Sequence, residues 1–323
     1  METDPEFSEV ISQLHLDMSD PEVLEELDRW GEWYLNFTGV DGFRIDAVKH
    51  IEFRFFKVWL EKLRASSGKP LFAVGEYWNA ELSRLQNYIE KSERALSLFD
   101  VPLHFHMFDA SRSNGTYDMR NLFKDTLVEA EPELAVTFVD NHDTQYGQAL
   151  ESWILPWFKP MAYALILLRE KGYPCVFYGD YYGIPHDKVA SLKELPQLLE
   201  LRQKAAYGAQ HDYFDNPSIV GWVRDGDEEH PNSGFALLMT INKGGSKKML
   251  VGEQHAGEVY TDVLGNSKDR IVITKGGVGN FTVMDGSMSI WMPSGEKTEA
   301  PDDEIEEEVE AEVVEAKEEQ DKA

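Results

Sequence analysis

The sequence predicts an α/β fold: a parallel sheet covered by helices, followed by an antiparallel β-sandwich. Three observations carry this. Up to about residue 180, short apolar runs alternate with longer amphipathic ones, and the short runs are apolar almost throughout, as strands buried on both faces are. Past about residue 210 the helical periods give way to short strands set off by Gly, Asn and Asp. The 323 residues are 42% hydrophobic and 12% aromatic, enough for a sizeable core.

The elements follow in order. "SDPEVLEELDRWGEWYLN" reads as a helix, with Asp20 at the N-cap and Pro21 at the first helical position. In "GVDGFRIDAVKH", residues 39–50, Phe43, Ile45 and Ala47 alternate with Arg44 and Asp46, the period of a strand with one charged face. A second helix, "EFRFFKVWLEKLRASSG", ends at Gly68 before Pro70. The strand "LFAVGE" and the helical stretch "ELSRLQNYIEKSERAL" come next. The strands "SLFDVPLHF", "AVTFVDNHD" and "YPCVFYGD" bring the count to five, ending near Gly179. "MAYALILL", from Met161, is a core helix by its length, and "LKELPQLLELRQKAAY" closes this part.

"IVGWVRD", "GFALLMTIN", "KKMLVG", "VYTDVLG", "RIVITKGG" and "MSIWMP" then read as the strands of a small antiparallel sandwich. The expected boundaries are an unassigned segment over 1–14, the parallel-sheet domain over 15–210, the sandwich over 211–293, and a tail over 294–323. That tail carries 14 acidic residues against 3 lysines, a like-charge block expected to be disordered or a frayed helix.

Charge narrows the partners. The formal net charge is −28, and −11 of it falls in the tail. Such a chain repels phosphate backbones and anionic membranes, whereas a neutral ligand is not repelled. No apolar run reaches the 18 or so residues of a membrane span. The opening "METDPEFSEV" has no apolar stretch of the kind a signal peptide carries, which points to the cytoplasm if Met1 is the true start. Cys175 is the single cysteine, so no intrachain disulfide forms, and its apolar setting "YPCVFYG" predicts a small core residue.

Three strands end in carboxylates: Asp46 after "GFRI", Glu76 after "LFAVG", and Asp143 in "FVDNHD". In a β/α barrel such strand ends converge on one mouth. A lone strand-end acid is usually a cap or a turn residue; three together, two accompanied by His, suggest a site. Paired carboxylates suit glycosidic cleavage, where one gives a proton to the leaving oxygen and the other attacks or stabilises the sugar cation. Glu76 sits among Gly75, Tyr77 and Trp78, and apolar neighbours favour the protonated carboxyl that an acid catalyst needs. Asp46 shares its strand face with Arg44, which suits a nucleophile. Trp78 is either a stacking platform for a sugar ring or core. Asn141 either orients the site or caps a helix, and His104 and His106 read as satisfied core or rim histidines. Asp100, after "SLF", reads as an ordinary strand-end acid, and nothing marks Asp180 or His186 beyond a place near the mouth.

"GFRIDAVKH", "GEYW" and "FVDNHD" resemble, in order, three signature regions of the α-amylase family of glycoside hydrolases. "DAVKH" and "GEYW" look most like the bacterial liquefying-type or cytoplasmic members. The resemblance runs from about Asp17 to about Pro293 and takes in "VFYGDYYGIP" and the sandwich. It implies that residues 15–210 are the C-terminal part of a (β/α)8 TIM barrel, five of its eight strands. It implies Asp46 as nucleophile, Glu76 as acid/base and Asp143 as transition-state stabiliser. Arg44 would orient the nucleophile, His142 would bind the sugar being cleaved, and Lys49 and His50 would contact the leaving-group side.

The same resemblance implies calcium, with the His50 carbonyl and Asp17 as ligands. The family commonly shows two acids one residue apart near Asp17; here the first position is His15, and calcium prefers oxygen donors, so that site is expected to be incomplete. The implied activity is internal hydrolysis of α-1,4 bonds in an α-glucan or maltooligosaccharide, with retention. Two alternatives stand beside it: a transglycosylase of the same family, and a truncated, non-catalytic sugar- or partner-binding remnant. Oligomeric state is left open.

Overall fold

Asp20 starts the first helix. Its carboxylate accepts the Glu22 N–H at 2.9 Å, Pro21 opens the first turn, and helix α1 (Pro21–Thr38) ends where Gly39, at φ 70, donates its N–H to Leu35 O. The computed structural model describes residues 20–303; the segment 1–14, His15, Asp17 and residues 304–323 lie outside the described residues. The described chain forms two units, the first running to Leu198 except for Ser113–Arg120, which belong to the second.

In the first unit α1 leads into β1 (Gly42–Ile45), α2 (Phe53–Ser67), β2 (Phe72–Gly75), α3 (Leu82–Lys91), β3 (Ser97–Phe99) and α4 (Val101–Arg112). After these come α5 (Leu127–Ala130), β4 (Ala135–Phe138), α6 (Lys159–Leu167), β5 (Tyr173–Cys175) and α7 (Tyr178–Tyr182). The five strands pair in chain order and all run parallel, with Gly42 opposite Phe72 and Ile45 opposite Gly75. The rings of Phe72 on β2 and Tyr173 on β5 lie 5.3 Å apart, although β3 and β4 stand between those strands. A flat sheet would hold the two strand axes about 14 Å apart. The sheet is therefore curled, with these two rings on its concave side. Helix α6, apolar on every face after Lys159, is buried at every residue but Pro160. None of the described helices is long and apolar enough to cross a membrane.

Two of the expected strands are shorter than their apolar runs. "SLFDVPLHF" does not continue as a strand: β3 stops at Phe99, and Asp100 captures the N–H groups of Leu103, Leu127 and Val128 at 3.0, 3.1 and 2.7 Å. With its first turn anchored in this way, "VPLHF" becomes the start of α4. "YPCVFYGD" likewise ends its strand at Cys175, before the short helix α7. Cys175 is exposed rather than a core residue; two positions after Tyr173 on β5, it shares that residue's concave face of the sheet.

Helix α8 (Leu195–Lys204) carries the boundary between the units. The strands of the second unit are β6 (Gln210–Tyr213), β7 (Ile219–Arg224), β8 (Phe235–Thr240), β9 (Gly245–Leu250), β10 (Glu258–Asp262), β11 (Arg270–Val272), β12 (Val278–Val283) and β13 (Met288–Lys297). Six form one antiparallel sheet in the order β11-β10-β13-β8-β7-β6, and β9 pairs with β12 in a second. Their apolar side chains, Leu238, Met249, Tyr260, Phe281 and Trp291 among them, make the core of this unit.

Ser113–Arg120, expected within the 15–210 domain, are instead tied to the second unit by Met119 N–H to Pro217 O at 2.8 Å and Asn242 Nδ2–H to Gly115 O at 3.3 Å. The expected tail also begins later than residue 294. β13 continues to Lys297 opposite Glu258, Thr298 donates its N–H to Gly257 O, and Lys275 donates its own to Pro301 O. Here the acids are not a bare charge block: Glu296 pairs with Arg270 and Asp302 with Lys275.

Candidate active site

β1 and β2 build the centre of the site through their backbones. Glu76 donates its N–H to Ile45 O at 2.9 Å and accepts the Val48 N–H on its own carbonyl at 3.0 Å. Between those two bonds the chain turns through Ala47, which is left-handed at φ 46, ψ 41. A non-glycine residue there is strained, as functional turns often are. The turn aims the Ala47 N–H at Glu76 Oε2, 3.2 Å away.

Arg44 joins the two acids. Its Nη1 donates to Asp46 Oδ1, and its Nη2 lies 3.4 Å from Glu76 Oε2. Glu76 is buried, while Asp46 faces solvent with 70% of its side chain exposed. Both side-chain contacts of Glu76 use Oε2. Lys49 and His50 sit exposed on a single 3-10 turn after Ala47, and Lys49 Nζ donates to Trp78 O at 3.4 Å. Trp78 is half-buried, its ring 5.5 Å from His104, 5.9 Å from Phe105 and 6.1 Å from Phe138. Part of that ring is thus committed to packing.

Asp143 stands on the loop after β4. Asn141 Oδ1 accepts the N–H groups of Asp143 and Thr144, both at 2.9 Å, and Leu150 donates its N–H to Asp143 O at 3.1 Å. Asn141 therefore caps the turn that presents Asp143, not a helix. His142 Nε2 is 3.2 Å from Asp143 Oδ2. All three acids follow the C-terminal ends of strands in one curled parallel sheet. Asp46 and Glu76 share a hydrogen-bonded group, and β3 separates the Glu76 strand from the Asp143 strand.

His104 is the satisfied core histidine expected from sequence, and with a buried ionic group that sequence reasoning missed it supports the Asp143 loop. His104 is fully buried, with Nδ1 2.7 Å from Val139 O and Nε2 2.9 Å from Ser152 Oγ, and its ring stacks on Phe138. Burial pushes its pKa down to about 4, so the ring is neutral and pins both ends of the loop. Asp140, Lys159 and Asp180 form a buried ionic group beneath the same loop. One signal was available: Lys159 is the only charged residue between Glu151 and Arg169, directly before a wholly apolar helix.

The calcium ligands implied by resemblance do not assemble among the described residues. Asp17 lies outside them, and no three carboxylate, histidine or cysteine groups come together as a metal cluster. Of the two implied ligands only the His50 carbonyl lies among the described residues, and one oxygen donor alone is short of the roughly six to eight that calcium takes.

The sequence profile of the alpha-amylase catalytic domain matches residues 7–212. This chain belongs to the alpha-amylase family. It is 57% identical over 279 residues to an alpha-amylase of Geobacillus stearothermophilus, covering 86% of this chain and 51% of that protein. It is 42% identical over 289 residues to the cytoplasmic alpha-amylase of Escherichia coli strain K12, covering 86% and 58%. The chain thus spans about half the length of the curated relatives it matches. Among solved structures, the alpha-amylase of Geobacillus thermoleovorans complexed with acarbose superposes with a TM-score of 0.63 at 18% identity, covering 88% of this chain and 66% of that one. At that identity the likeness is one of fold.

Proposed function

We propose that this alpha-amylase family chain cleaves internal α-1,4-glucosidic bonds of starch, glycogen or maltodextrin with retention at the anomeric carbon. The observation that carries the reading is the single Arg44 guanidinium between Asp46 and Glu76. A shared cation favours the close carboxylate pair, about 5–5.5 Å apart, that retaining cleavage requires. Asp46, exposed and oriented by Arg44, attacks the anomeric carbon. Glu76, buried and tethered through Oε2, has Oε1 to carry the proton that it gives to the departing glycosidic oxygen. Water then attacks the glycosyl–Asp46 ester while Glu76 takes back a proton, which frees Asp46.

In this reading Asp143 steadies the positive charge that develops on the sugar ring, with His142 beside it. Lys49, His50 and the free part of the Trp78 ring contact sugars on the leaving-group side. The test is turnover of a blocked chromogenic maltooligosaccharide by the purified chain and its Glu76→Gln variant. The expected result is α-anomer product from the parent and a loss of about 10²–10⁴-fold in the variant. Equal rates from both proteins, or none from the parent, would overturn the reading. Products longer than a maltoheptaose substrate would identify transfer in place of hydrolysis.

A further inference from the structure

We infer that Lys159 is a positioning residue for Asp143, acting through the buried pair Asp140 and Asp180; the inference rests on the catalytic reading of Asp143 above. Lys159 Nζ lies 2.9 Å from Asp140 Oδ2 and also bonds Asp180 Oδ1. Both carboxylates are almost fully buried. Asp140 lies just after β4 and Asp180 on the short helix α7 after β5, so one ammonium ties together the segments that follow two neighbouring strands.

Each partner is fixed in turn. Tyr163 donates its hydroxyl to Asp180 Oδ2 at 2.7 Å. Asp140 Oδ1 accepts the Thr144 hydroxyl at 2.8 Å, and the Ile154 N–H lies 3.3 Å from both of its oxygens. Thr144 Oγ1 accepts the Asn141 N–H at 3.1 Å, and Asn141 Oδ1 holds the N–H of Asp143. An unbroken series of hydrogen bonds thus leads from the Lys159 ammonium to the backbone of Asp143.

Helix stability does not account for Lys159. It is the first residue of α6, where a cation opposes the helix dipole, and the rest of that helix is apolar. Buried ion groups are commonly no more stabilising than apolar packing of equal volume, and their best-attested use is to select one arrangement. The arrangement selected here is the height of the Asp143 loop above the sheet.

Two variants at the same position test this in the full chain. Lys159→Met removes the cation, and Lys159→Arg keeps it. The Met variant is expected to lose about a hundredfold in kcat, the cost of misplacing a catalytic group by about 1 Å, with KM within twofold. Amide exchange at residues 141–144 should quicken at least tenfold while β2 stays protected, and Arg should restore most of kcat. Unchanged kcat in the Met variant, or exchange that rises evenly across the sheet together with KM, would overturn the inference. Should the Met variant fail to fold, Asp140→Asn carries the same test, since it leaves Lys159 paired with Asp180. A parent without turnover would refute the hydrolase reading, and the exchange pattern would still decide the positioning role.

Discussion

Adding one methyl group at Gly75 should disturb the site without touching a charged residue. A Cβ there would stand 2.8 Å from Leu96 Cδ1, 3.0 Å from Val48 Cγ1 and 3.1 Å from Leu98 Cδ2. Carbon atoms settle at about 3.5–4.0 Å, so each neighbour must retreat by roughly 0.5–1 Å. All three are buried. Overpacking of this kind costs about 1–3 kcal/mol. Restricting the unfolded chain returns about 0.4–1 kcal/mol, which leaves a net loss of about 1–2 kcal/mol for Gly75→Ala.

The functional cost should be larger than the loss of stability. Val48 donates its N–H to Glu76 O, so a Val48 pushed outward drags the turn that aims Ala47 at the Glu76 carboxylate. Urea unfolding reads the first effect and turnover of a blocked maltooligosaccharide the second, with a loss of about a hundredfold expected for a displacement near 1 Å. A variant as stable and as active as its parent would refute the reasoning.

Arg44→Lys should fail to reach both Asp46 and Glu76, because one ammonium cannot replace a two-armed guanidinium. The expected result is about a hundredfold less turnover with the thermal midpoint within a few degrees of the parent, as the Arg44 side chain is partly exposed and the substitution keeps its charge. His104 should make stability fall with acid. Its folded pKa of about 4 lies below the value near 6.5 of the unfolded chain, so only the unfolded state takes up a proton in between. Its contribution is full above about pH 6.5 and lost as pH falls toward 4, about 3 kcal/mol in all. Urea midpoints across that range should show this slope in the parent, and His104→Gln should remove it from the difference curve.

The parallel sheet was legible because its strands are short, apolar and regularly spaced, and the helix caps at Asp20 and Gly68 announce themselves by residue type. The end of β3 was not. "SLFDVPLHF" is apolar at both strand and helix spacing, and what decides it is Asp100 gripping N–H groups from Leu127 and Val128, far along the chain. The strand-end acids could be named as candidates because each closes an apolar run. Their supports are only half marked: Lys159 stands out as a lone charge before an apolar helix, but Asp140 and Asp180 lie 19 and 21 residues away and no local pattern marks the pairing. Ala47 was hidden for another reason, since alanine is not a residue type that signals a left-handed turn.

The exposed Cys175 gives this protein a built-in reporter. A maleimide or iodoacetamide dye has one thiol to react with in this sequence, and that thiol sits on β5, one of the two outer strands of the curled sheet among the described residues. Labelling rate then measures how open that flank is under any chosen condition. Slowing on addition of oligosaccharide, salt or a second protein would record the covering of β5 directly, with no engineered cysteine and no second site to subtract.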